Sequence, residues 1–277
     1  MLRGRESDNI EDLRDGGGFG GRTIALGGGG LGMIVVIIAA LLCGVDPRQL
    51  LDDTPDTTQV QQPQSRRQNP QSNDDQKKFA ASVLGSTEDV WGKILPEQAK
   101  RRYTNPKLVL FTDRVDTACG YSTSATGPFY CPGDQKLYLD FAFFSELKDE
   151  FRAPGDFAQA YVIAHEVGHH VQNLLGTMSK VDAAGNDNRL SVALELQADC
   201  YAGVWAYYAN KQGLVEAGDY EEALRAAASV GDDTIQKRSQ GYVVPDSFTH
   251  GSSRDRVNWF AQGLKSGDMR QCNTFGR

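Results

Sequence analysis

Residues 165–170 read His-Glu-Val-Gly-His-His, directly after the apolar run Tyr161-Val162-Ile163-Ala164. Four residues is close to one helical turn, so His165 and His169 project from the same helix face. Two imidazoles at that separation can grip one Zn²⁺, and Glu166 beside them is a candidate general base. The surrounding segment reads as a helix to about Leu174. Phe157, Tyr161, Ile163, Ala164, Val167, Val171 and Leu174 recur on a helical period, and Asp156 is the expected N-cap. Gly168 costs such a helix about 1 kcal/mol relative to Ala, a cost often met where another chain or a ligand comes close. An amphipathic core helix has little reason to carry two His and a Glu unpaired.

Two histidines leave a zinc ion short of its usual three protein ligands. The segment from about Leu190 to Ala209 also has helical character and places Glu195 and Asp199 at i and i+4, on one face. Glu195 is the candidate third ligand. Asp199 is the candidate acceptor for the far nitrogen of a ligand histidine, fixing its tautomer. A merely solvated acidic face is the plainer alternative. It fits poorly with neighbours such as Ala193, Leu196, Ala198 and Trp205, whose character is that of a core. Further on, His250 and Arg256 open a final amphipathic helix through Val257, Phe260 and Leu264. A cation or imidazole near the metal can stabilise an oxyanion, which makes both candidate catalytic groups. A capping histidine and a salt-bridging arginine are the plainer readings. His170 points about 100° away from His169 and reads as structural.

The stretches H-E-V-G-H-H-V-Q, L-E-L-Q-A-D-C-Y-A-G-V-W and H-G-x-S-x-x-R-V-x-W-F, together with Ala118-Cys119-Gly120, Gly127 to Pro132 and Leu137 to Asp140, resemble the bacterial family of neutral zinc metallopeptidases. The resemblance covers roughly Lys77 to Arg277. The Glu195-x-x-Ala198-Asp199 arrangement and the six-residue His250 to Arg256 spacing are similar to the heat-shock and prenyl-processing metallopeptidases of the gluzincin group. There the histidine is usually followed by Pro, whereas this chain has Gly251. The resemblance implies a zincin-like α+β domain, helix-dominated with a small sheet, that hydrolyses a protein or peptide substrate with zinc. It implies no particular substrate. A non-catalytic or latent zinc-binding interaction module is the alternative; the intact Glu166 and ligand positions argue for the enzyme.

The chain has 277 residues and a formal charge of −7, with 23% charged and 40% hydrophobic residues. This suits one core domain of about 200 residues with attachments, and an acidic balance offers no nucleic-acid partner. Ile24 to Val45 carries no charge and is long enough to span a bilayer as a helix. Arg3, Arg5, Arg14 and Arg22 precede it and only Arg48 follows closely, so the expectation is a single-pass protein of the cell membrane with a cytoplasmic N-terminus and an extracytoplasmic catalytic domain. The apolar stretch begins late for a cleaved signal peptide, and Leu42 before Cys43 is a poor lipidation site. The expected organisation is therefore a disordered tail over 1–23, a transmembrane helix over 24–45, a polar disordered linker over 46–76 and the zinc domain over 77–277. Helices are expected over 75–84 and, capped by Ser86, through about Ile94, and another over Glu216 to Gly231. Strands are expected at 107–111 and 136–141. In such folds an edge strand borders the cleft, and Leu137 to Asp140 is the candidate; an ordinary sheet strand is the equal alternative.

Of the five cysteines, Cys119, Cys131, Cys200 and Cys272 fall in the expected exported domain. An even number there fits disulfides, and three pairings are open. Cys119–Cys131 is favoured because it closes a short Gly- and Ser-containing loop, which leaves Cys200–Cys272. Free buried cysteines are the alternative. The oligomeric state is not legible.

Overall fold

The computed structural model describes residues 4–14, 70–185 and 187–276. A short strand β1 (Ile10–Asp12) precedes the long helix α1 (Pro70–Ile94). Strands β2 (Lys107–Phe111), β3 (Arg114–Thr117), β4 (Gly120–Thr123), β5 (Phe129–Cys131) and β6 (Lys136–Asp140) follow. The rest is helical: α2 (Ala142–Asp149), α3 (Asp156–Leu175), α4 (Thr177–Ala184), α5 (Asn188–Lys211), α6 (Asp219–Ser229), α7 (Asp232–Gln240) and α8 (Ser253–Ser266). The architecture is helix-rich with small sheets, as the sequence pattern implied.

The main sheet runs β1-β2-β6-β5, with β5 antiparallel to β6 and the other pairs parallel. β3 and β4 form a separate hairpin, and a disulfide between Cys119 and Cys131 fastens its tip to β5. β6 is therefore an interior strand. The edge beside the cleft is β5, which corrects the choice of Leu137 to Asp140 as edge strand.

Residues 4–14 differ from the expected tail. Leu108 N–H donates to Asn9 O at 2.9 Å and Leu13 N–H to Leu110 O at 2.8 Å, and Ser7 N–H reaches Ala81 O on α1. The Arg5 guanidinium pairs with Glu88 and Asp89, and buried Glu88 also accepts from Ser7 and Asn9. Gly85 accommodates this segment, since a Cβ there would lie 2.2 Å from Arg5 O. α1 consequently runs unbroken where two helices were expected. Ser86 is no cap but accepts from the Trp205 indole, and Thr87 bonds back to Leu84 O.

The same pairing overturns the transmembrane helix and the single-pass localisation. A single crossing by 24–45 would separate β1 from β2 by a hydrocarbon core of about 30 Å, yet paired strands lie about 4.8 Å apart. Among the described residues no helix is long and apolar enough to cross a membrane. The longest, α1, carries Asp74, Asp75, Lys77, Lys78, Glu88, Asp89 and Lys93. Residues 24–45 themselves lie outside the described residues, as does most of the expected linker.

The core lies among α1, α3, α5, α6 and α8. Trp91, Trp205, Tyr161, Phe157 and Phe260 are its largest fully buried side chains. Phe157 stacks on Trp205 at 5.6 Å, and Tyr161 meets Phe260 edge-on at 5.4 Å. Backbones approach closely at two crossings. A Cβ on Gly263 would lie 1.9 Å from Cys200 O, and one on Gly168 2.9 Å from Ala198 O. Gly168 thus accommodates the second motif helix. The Cys200–Cys272 disulfide ties α5 to the C-terminal segment, so both favoured pairings hold. It closes a 72-residue separation, which chain entropy values at about 4 kcal/mol. Gly263→Ala is expected to cost about 1–3 kcal/mol by overpacking, read as a fall of several degrees in the thermal unfolding midpoint; an unchanged midpoint would refute the tight crossing.

Candidate metal centre

Gly155 precedes α3 with a φ of +122°, a conformation that favours glycine, and lies against the Glu222 carboxylate. Asp156 is the first helical residue rather than the cap. Glu222 accepts from Phe157 N–H and does the capping from α6. The helix ends at Leu175, closed by Gly176 in the left-handed region. This phase turns His165, Glu166 and His169 to one cleft.

α5 supplies the partner. Glu195 Oε2 lies 3.3 Å from His165 Nε2, and its Oε1 lies 3.4 Å from His169 Nε2. The ligand atoms of all three residues lie within 4.8 Å of one another. The opposite ring nitrogens are both engaged. His165 Nδ1 is 2.9 Å from Asp199 Oδ1, a carboxylate that can only accept, so Nδ1 carries the proton. His169 Nδ1 is 2.9 Å from Gln172 Oε1. The Gln172 amide nitrogen donates to Leu194 O at 2.7 Å and to Gln197 Oε1 at 3.1 Å, so its oxygen must accept. Both Nε2 atoms therefore face Glu195, where each can give its lone pair to a metal that displaces the proton. Two imidazole lone pairs and a carboxylate are the donor set that zinc takes, and the three residues fit it.

Asp199 is fully buried, so the solvated-face alternative fails for it. It also accepts from the Tyr161 hydroxyl and, bidentately, from Arg256 at 2.8 and 3.0 Å. Arg256 is buried too, and its remaining nitrogen donates to Val230 O at 3.1 Å. The guanidinium is thus committed to Asp199, although it stands 3.9 Å from Glu195 Oε2.

His250 sits on the cleft rim with its side chain about half exposed. Its Nδ1 is 3.1 Å from Asp232 Oδ1, while Asp232 Oδ2 accepts from the backbone N–H groups of Thr249, His250 and Gly251. Gly251, with φ +93°, lets the chain make that turn. The hydrogen bond to Asp232 raises the His250 pKa. His170 is fully buried away from the cleft, between Thr104 O and the Tyr130 hydroxyl.

Electrostatics sharpen the centre. Burial pushes Glu166 upward against the pull of His169 and His165. Burial alone would also raise Glu195, but the two imidazoles hold it well below the carboxylate range. His165 is opposed by burial yet raised to about 10 by Asp199 and Glu195. The cleft itself has a volume of about 620 Å³ and is bordered by the edge strand at Phe129 and Tyr130.

Sequence reasoning missed Gln172, Gln197, Asp232 and the hydroxyl of Tyr161. Tyr161 counts as apolar in a periodicity count. Gln172 lies three residues after His169 on the same face, and that spacing was the available signal. Asp232 follows Gly231, where the sequence marks only a helix end.

These features define a helix-rich protein with a two-histidine, one-carboxylate centre built on two crossing helices. The chain belongs to the family described as "Putative neutral zinc metallopeptidase", which matches residues 2–275. It is 49% identical over 284 residues to "Uncharacterized protein YpfJ" of Escherichia coli (strain K12), covering 99% of this chain and 97% of that protein. It is 41% identical over 257 residues to "Uncharacterized protein Mb2605" of Mycobacterium bovis, covering 85% of each. No solved structure matches.

Asp199→Asn and Gln172→Ala are each expected to weaken zinc binding about 10- to 100-fold, measured by competition with a chromophoric chelator. Unchanged affinity in both would refute the orienting roles.

Proposed function

We propose that the protein is a zinc-dependent endopeptidase. The observation that carries the reading is the convergence of His165 Nε2, His169 Nε2 and the Glu195 carboxylate beside Glu166 in an open cleft. Zinc bound by these three residues would polarise a peptide carbonyl and acidify water.

Glu166 is the general base. A carboxyl raised by burial takes a proton from the attacking water more readily than an ordinary one, and passes it to the leaving amine. Asp199 and Gln172 hold the ligand histidines in the tautomers that leave Nε2 free. His250 keeps Nδ1 on Asp232 and lines the cleft, which leaves its other ring nitrogen to donate to a developing oxyanion. Arg256 acts on the centre through Asp199 rather than by touching substrate. β5 is the edge on which an extended peptide can add as a further strand.

The test is proteolysis of an unfolded protein such as casein by the full chain loaded with zinc. The full chain is needed because β1 belongs to the sheet. Glu166→Gln is expected to keep stoichiometric zinc and lose about 10²- to 10⁴-fold in turnover. Normal turnover in that variant would sink the mechanism; zinc without cleavage in either protein would favour the non-catalytic module. Glu195→Ala is expected to lose stoichiometric zinc.

The pH profile tests His250. A raised pKa keeps the imidazolium above the ordinary value of about 6.5, so activity that uses it persists to that raised pKa and falls beyond it. Asp232→Asn removes the cause and is expected to move the alkaline limb to lower pH, with an unmoved limb counting against the role.

A further inference from the structure

Glu146 is a carboxylate of the cleft wall that the chemistry above leaves unused. It stands one turn after Phe143 on α2, and Phe151 follows the helix. The three side chains line one arm of the cleft, with the two rings 6.1 Å apart. Phe129 and Tyr130 of β5 line the same cleft. Gly127, with φ +75°, lies against Phe143, so a Cβ there would be 3.6 Å from the ring.

Among the described residues Glu146 has no side-chain hydrogen bond and no ion pair. The charges it feels are those of Glu150 and Asp140, and burial with these neighbours raises its pKa. The nearby cation is already committed. Arg238 lies over the Phe151 ring at 5.6 Å and donates to the Glu150 and Phe151 carbonyls. An aromatic-walled arm with an unpaired carboxylate suits a long basic side chain. The methylene stem covers the Phe143 ring, and the charged head meets the carboxylate. An aliphatic side chain would bury the carboxylate without a partner, and an acidic one would be repelled.

We propose that Glu146 is a specificity determinant of the cleft, and that it selects peptides carrying a lysine or arginine at one position along it. The proposal rests on the peptidase reading above.

The test has a binding arm and a cleavage arm. Labelled peptides differing only in a central Arg, Leu or Glu are titrated by fluorescence anisotropy onto the full-length, zinc-loaded Glu166→Gln protein. The Arg peptide is expected to bind about five- to tenfold more tightly than the Leu peptide, the scale of a partly desolvated ion pair. Adding Glu146→Gln should abolish that difference with Leu affinity unchanged, and Glu146→Lys should favour the Glu peptide. In the cleavage arm, casein fragments from the otherwise unaltered protein are expected to show basic residues at one fixed position from the cut. Equal Arg and Leu affinities, or a preference that survives Glu146→Gln, overturn the proposal. Cleavage without basic preference overturns it while leaving the peptidase reading intact. Binding selectivity without any cleavage overturns the peptidase reading instead.

Discussion

A carboxylate with no access to water must find its charge partners within the protein, and Asp199 is that carboxylate here. It meets Arg256 from α8 through two hydrogen bonds, and His165 and Tyr161 from α3 through one each. Burial works against its charge, but Arg256 and His165 more than offset this and hold its pKa below the ordinary value. Removing one member of such a buried set leaves an uncompensated charge, which typically costs about 3–5 kcal/mol. Three helices distant in sequence are therefore committed to one arrangement, and that arrangement aims the Nε2 of His165 at Glu195. The arginine that resembles a catalytic cation belongs to the frame of the centre.

Backbone contact enforces the same frame. Gly168 lets α3 meet α5 near Ala198, one residue before Asp199, and Gly203 with Gly263 lets α5 meet α8. Near the second crossing the Cys200–Cys272 disulfide fixes the C-terminal segment. Gln197 then donates to Cys272 O at 2.8 Å and passes the orientation on through Gln172 to His169. His165 and His169 thus each have their own anchoring chain, one ionic through Asp199 and one of neutral amides.

How much of this was legible follows from the range of each interaction. His165, Glu166 and His169 sit within one turn, and Glu195 and Asp199 sit on one turn of another helix. Helical spacing therefore exposes both halves of the centre, and the glycine at 168 marks where they meet. Gln172 carries a local mark, three residues after His169, whereas Gln197 and Asp232 gain meaning only from partners 17 to 75 positions away. β1 was illegible for a related reason. Ile-Glu-Asp is three residues with one apolar side chain, and it is held by backbone pairing and by charges such as Glu11 to Lys136 at 2.9 Å. A hydropathy reading sees only the apolar stretch after it, and so placed a membrane between strands that share a sheet.

The third histidine of the motif shows how one helix serves two purposes. His170 is turned about 100° from His169 and points away from Glu195, toward Thr104 and Tyr130. Burial lowers its pKa, so the ring is neutral there. Thr104 O can only accept, so Nε2 carries the proton at 2.7 Å, and Nδ1 must accept from the Tyr130 hydroxyl at 3.1 Å. The Tyr130 oxygen in turn accepts from Asn173 at 2.9 Å, also on α3. Tyr130 belongs to β5, so the edge strand is fastened through one hydroxyl to two residues of α3 one turn apart. Motion of β5 relative to His165 and His169 would have to break a buried hydrogen bond, which leaves an unpaired polar group costing about 1–3 kcal/mol. The spacing between the sheet edge and the face carrying His165 and His169 is thereby set by His170 and Asn173 of the same helix.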